Sequence, residues 1–119
     1  MIGRVSFTTI DATDPDRLAA FWGEVLGAEI AETSDEGRFV FLGEANGHVL
    51  SFQRVPEPKS VKNRVHLDVR VDDLQAATDA LLARGASWDG EELRLDDARW
   101  RTLQDPEGNE FDIFVSGVA

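Results

Sequence analysis

Of the two histidines in the chain, His66 is the better placed for chemistry. It lies in a run where Val65, Leu67, Val69 and Val71 alternate with His66, Asp68 and Arg70. A period of two puts the polar residues on one face of a strand and packs the apolar ones under a helix. Asp112 alternates in the same way against Phe111, Ile113 and Val115, although Phe114 shares its face, so that face carries both polar and apolar groups. Gln53 shares a strand face with Ser51 in a further β-type run. One imidazole, one carboxylate and one amide could hold a divalent cation and leave positions open for substrate oxygens, as Lewis-acid catalysis requires. The simpler expectation is that His66 and Asp112 satisfy each other as a hydrogen-bonded or charged pair. Three tryptophans offer flat surfaces to a conjugated ligand. Trp22 falls on a helical apolar stripe and is expected in the core, Trp100 could share a strand face with Thr102 and Gln104, and the surroundings of Trp88 assign it nowhere.

Composition narrows the rest. Cysteine is absent, which removes disulfides, thiol nucleophiles and thiolate metal sites together. A formal charge of -11 repels phosphate backbones and anionic lipid, so neither nucleic acid nor a membrane is an expected partner. The basic run Lys59, Lys62 and Arg64 is expected to anchor a connector or pair with carboxylates rather than attract an anion. The amino terminus lacks a signal-peptide pattern and no apolar run is long enough to span a bilayer, which makes a cytoplasmic location the expectation. No nucleophile and base spacing suggests a triad, and no phosphate-binding glycine loop precedes a helix. Glu91-Glu92 and Asp96-Asp97 look like solvated turns, and His48, just after a turn glycine, should be exposed.

The elements that must position these groups come as a repeat. Val5, Phe7 and Thr9 alternate as a strand, and Asp14-Pro15 reads as an N-cap with proline at the first helical position. Leu18, Phe21, Trp22, Val25 and Leu26 then form one apolar stripe, closed by Gly27 as a left-handed cap. Residues 28–33, 38–42 and 48–54 are β-type runs separated by turn chemistry. The pattern restarts with the His66 strand, a helical stripe at Leu74, Ala77, Leu81 and Leu82, and a closing Gly85. Asp14 to Gly27 and Asp72 to Gly85 are both thirteen positions apart, and alanine follows each glycine, which points to a duplicated module. Strands follow at 99–104 and 110–115, joined by Asp105-Pro106-Glu107-Gly108-Asn109, while the strand between Ala86 and Leu95 is poorly marked. The proline-rich and polar segment ending at Asn63 reads as the join between modules.

In this order and spacing, residues 14–22, Val25-Leu26-Gly27, residues 63–68 and residues 105–111 resemble the glyoxalase-like branch of the vicinal-oxygen-chelate superfamily, which includes glyoxalases, bleomycin-resistance proteins and extradiol dioxygenases. The resemblance covers nearly the whole chain. It implies an α+β fold in which two tandem βαβββ modules form a cupped mixed sheet with helices outside. The chain would be a single domain over 1–119, with module one at about 1–56, a connector at 57–63 and module two at 64–119. Members that use metal place one ligand on the first and one on the last strand of each module. On that pattern His66 and Asp112 fall at ligand positions in the second module. In the first, one position falls on Phe7, with Ser6 beside it, and the other on Ser51 or Gln53, so His66, Asp112 and Gln53 make at most three of four ligands.

The leading expectation is therefore a small-molecule binder of the bleomycin-resistance kind without a full metal site. His66, Asp68, Gln53, Trp100 and Phe7 would line its pocket, and no cofactor would be needed. The rival is a lyase, isomerase or dioxygenase that uses one divalent metal (Fe, Mn, Ni or Zn) at His66, Asp112 and Gln53. A third reading is a partner-binding domain with no ligand. Relatives of this length imply a homodimer.

Overall fold

A computed structural model describes residues 1–117 of the chain. Its contacts group into two compact units, one ending at Pro58 and the other starting at Lys59.

In the first unit the strand β1 (Thr8–Ala12) leads into the helix α1 (Pro15–Leu26), followed by β2 (Ile30–Ser34), β3 (Phe39–Leu42) and β4 (Leu50–Arg54). The sheet order is β1-β4-β3-β2. β1 runs parallel to β4 and the other neighbours are antiparallel. The helix begins as its sequence dictates: the Asp14 carboxylate accepts a hydrogen bond from the Arg17 amide, Pro15 fills the first turn, and Gly27 takes φ 70° at the end. Leu18, Phe21 and Trp22 on α1 and Val40, Leu42, Leu50 and Phe52 on the sheet are all buried, each large side chain contributing about 1.5–3 kcal/mol by leaving water. A Cβ on Gly23 would stand 2.6 Å from the Ala28 carbonyl oxygen, so only glycine fits where the chain turns back beside the helix. The alternation around Val5 predicts an earlier strand than the one formed. Pairing starts at Thr8, and Ile2 and Val5 before it are exposed.

The second unit has the same plan with changes: β5 (Asp68–Arg70), α2 (Leu74–Leu82), β6 (Ser87–Trp88), β7 (Leu93–Leu95), β8 (Ala98–Gln104) and β9 (Glu110–Ser116). The order is β5-β9-β8-β6, with β7 also pairing β8 and β5 parallel to β9. Leu74, Thr78 and Leu81 of α2 are buried, as are Leu103, Phe111 and Ile113 of the sheet. The poorly marked strand is two short ones, separated by a turn in which Gly90 has φ 92°. Asp73, and not Asp72, caps α2 through the Ala76 amide at 3.0 Å, and the helix ends at Ala83 before Gly85 turns left-handed. The β5 strand is shorter than the valine alternation predicts: Val65 is 77% exposed, and His66 precedes the strand. Among the described residues no helix is long and apolar enough to cross a membrane.

Candidate functional site

The site is assembled by the hairpin β8–β9. Its loop is held by Asp105, which is buried and accepts hydrogen bonds from the amides of Glu107 and Asn109 and from the Asn109 side chain. The Asp105 amide in turn donates to the Asn109 carbonyl, and Gly108 sits at φ 87°. A loop closed this tightly sets the register, pairing Gln104 with Glu110, Thr102 with Asp112 and Trp100 with Phe114. Alternation then sends Leu103, Phe111 and Ile113 into the core and leaves Trp100, Thr102, Asp112 and Phe114 on the opposite face. Parallel pairing of β5 sets Asp68 beside Asp112 and Arg70 beside Phe114.

On that face lies a cavity of about 240 Å³, lined by Asp68, Ala98, Trp100, Asp112 and Phe114. The Thr102 hydroxyl donates to Oδ1 of Asp112 at 2.6 Å. His66 Nδ1 is 3.1 Å from Asp68 Oδ1 and 3.9 Å from Asp112 Oδ2. The nearer partner of the imidazole is thus Asp68, at hydrogen-bond distance, with Asp112 beyond it. One donor atom from each of His66, Asp68 and Asp112 lies within 4.8 Å of the others. Donors at about 2.1 Å from an ion sit roughly 3.0–3.4 Å apart, so small side-chain rotations would be needed to close this set on a metal. The Arg70 guanidinium lies over the Phe114 ring at 4.8 Å from its centre.

Next along the same face, Ser87, Trp88, Asp89, Thr102, Gln104 and Glu110 border a more polar depression of about 360 Å³. Lys59 closes on Glu110 at 2.6 Å, and the Asn63 amide donates to the other carboxylate oxygen at 2.9 Å. Burial pushes the Glu110 carboxyl up, but Lys59 and Asn63 outweigh it and hold the group below its ordinary 4.5.

A family model described as "Glyoxalase-like domain" matches residues 7–114. The chain belongs to the glyoxalase-like domain family. Among solved structures it is similar to FosX, a genomically encoded fosfomycin resistance protein of Listeria monocytogenes. An E126Q mutant of that protein, complexed with Mn(II) and 1S,2S-dihydroxypropylphosphonic acid, matches with TM-score 0.81 and 16% identity over 99% of this chain and 94% of that one. A glyoxalase/bleomycin resistance protein/dioxygenase family enzyme from Burkholderia phytofirmans matches with TM-score 0.76 and 21% identity, over 93% and 97% of the two chains. A glyoxalase-related enzyme from Fulvimarina pelagi matches with TM-score 0.76 and 19% identity, over 98% and 91%. At these identities the likeness shows the fold, that of the vicinal-oxygen-chelate superfamily. No curated protein matched.

Within this glyoxalase-like chain, the residues expected at the site divide by unit. His66, Asp68, Asp112 and Trp100 converge in the second. In the first, Gln53 stands on β4 between Asp11 and Phe39. Phe7 precedes β1 and packs edge-on against Phe41, with ring centres 5.2 Å apart. Ser51 is buried and shares a 2.7 Å hydrogen bond with Thr9. Trp22 is in the core. Trp88 lies under the guanidinium of Arg101, 4.3 Å from its ring centre, and gives its indole hydrogen to the Glu91 carbonyl.

Two roles escaped the sequence reading. Arg101 is only 8% exposed and bonds Thr78 on α2 and Glu92, so Glu92 is an ion-pair partner and not part of a solvated turn. Thr102 orients Asp112. The alternation of β8 carried a signal for both, since Arg101 falls on the core face with Leu103 and Thr102 on the face of Trp100.

Proposed function

We propose that this glyoxalase-like chain binds a small molecule on the β8–β9 face of its second unit, by shape and hydrogen bonding rather than through a full metal site. The cavity between Asp68, Asp112, Trp100 and Phe114 carries this reading, because it joins two aromatic walls to a few convergent polar groups. The polar depression beside it gives the ligand further hydrogen-bonding partners in Ser87 and Gln104. The rival reading, a metal-dependent lyase, isomerase or dioxygenase, is favoured by one observation, the proximity of His66, Asp68 and Asp112. These residues would hold a divalent ion whose charge polarises a substrate oxygen, as suits a fold that holds Mn(II) in FosX. Thr102, by engaging Oδ1, would leave Asp112 Oδ2 available to such an ion.

Metal content of tag-free protein purified without chelator, compared with a His66→Ala variant, separates the two. Metal-free protein that takes up none on reconstitution, yet melts at a higher temperature with an aromatic compound, supports the first reading. About one equivalent of transition metal, lost in the variant, replaces it with the second. We extend the proposal to a homodimer. Exposed Ile2, Val5 and Phe7 in the first unit and Val61 and Val65 in the second are apolar area that a partner copy would cover. Light scattering showing a monomer at micromolar concentration would remove that extension.

A further inference from the structure

We propose that the ligand of the β8–β9 cavity is an organic cation, its charged nitrogen held by Asp68 and Asp112 and its apolar body laid against Trp100 and Phe114. This rests on the ligand-binding reading above and adds the ligand's charge and shape.

The charges facing the cavity are few. Asp68 and Asp112 sit side by side across the parallel β5–β9 pair. Asp68 has an imidazole at 3.1 Å, and Asp112 has a neutral hydroxyl at 2.6 Å with the imidazole at 3.9 Å. Arg70, on the same face, offsets one carboxylate, and the Lys59–Glu110 pair next to it is internally balanced. The two carboxylates thus outnumber the one guanidinium on this face, inside a chain of charge -11. An anionic ligand would enter against that field, whereas a cation is drawn into it.

The aromatic walls point to the same sign of charge. Ring faces are negative and attract cations, and the Phe114 ring already has the Arg70 guanidinium over it at 4.8 Å, so this part of the face holds positive charge in the protein's own structure. Trp100, the stronger of the two rings for such contacts, lines the cavity without a guanidinium over it among the described residues. A bare metal ion would use His66 and the two carboxylates and leave Ala98, Trp100 and Phe114 facing water. An amine with a flat apolar body uses both. At about 240 Å³ the cavity lies below the usual 300–1,000 Å³ of drug-sized sites, which suits a compact aromatic amine.

The test is isothermal titration calorimetry of the full chain with three compounds that share an indole ring: tryptamine as the cation, tryptophol as its neutral counterpart, and indole-3-acetate as the anion. We expect tryptamine to bind about tenfold or more tightly than tryptophol, and indole-3-acetate to give no heat. Asp68→Asn and Asp112→Asn should each remove most of the preference for tryptamine while leaving tryptophol unchanged. Asp68 is exposed enough that its variant will fold even where Asp112→Asn does not. Equal binding of tryptamine and tryptophol would overturn the charge assignment and leave the ligand-binding reading standing. Binding of none of the three would overturn both. Tight binding of Mn²⁺ or Zn²⁺ that is lost in Asp112→Asn, with no preference among the indoles, would overturn the proposal in favour of a metal site.

Discussion

Thr102 holds Asp112 by one oxygen, so the carboxylate meets the cavity with its direction already chosen. Thr102→Val keeps the side chain's shape and removes that bond. We expect a loss of about 1–2 kcal/mol in stability, read by urea denaturation, together with weaker ligand binding. Glu110 acts differently, tying the start of the second unit to β9 through Lys59 and Asn63. Its folded-state value is depressed, so the stability it contributes is present above 4.5 and is lost as pH falls through the lowered folded value. Wild type should therefore exceed Glu110→Gln in stability at neutral pH, and the gap should close below pH 4.5, as thermal melts across an acid series would show.

At the scale of elements, the two helices show how far the sequence carries. The start and stop of α1 were legible because Asp14, Pro15 and Gly27 each serve a single physical purpose there. In α2 two adjacent aspartates compete for the cap, and the matched spacing to Gly85 favours Asp72, yet the bond is made by Asp73. Asp73→Ala should cost about 1 kcal/mol and Asp72→Ala much less, a contrast that denaturation of the pair would measure. The face that Asp112 shares with Phe114 was legible from alternation, and so was the placing of Trp100 with Thr102. His66 was expected inside a strand, but the ladder with β9 starts only at Asp68, although β9 itself reaches back to Glu110. A hydrogen bond from the Asp112 amide to the Leu67 carbonyl is where pairing begins. The approach of Asp68 to His66 depends on side-chain rotation, which periodicity does not encode. Arg101 shows the same limit: an arginine on a core face reads as a misfit until Thr78 and Glu92 are seen around it.

For the molecule as a whole, the net charge of -11 sets the electrostatic background of every site. Self-repulsion on this scale weakens the compact state and is screened by salt. The melting temperature should rise by a few degrees from low to near-molar sodium chloride, while binding of a cationic ligand weakens over the same range. Scanning calorimetry checks the first and titration in matched buffers the second.

The three tryptophans occupy three distinct settings: Trp22 sealed in the first unit's core, Trp88 beneath a guanidinium, and Trp100 on the cavity wall. The chain contains no tyrosine, so its near-ultraviolet emission is almost wholly indole light. Two conservative replacements, Trp22→Phe and Trp88→Phe, would leave Trp100 as a lone lamp at the binding face. The protein then carries its own optical gauge of occupancy, with no dye attached.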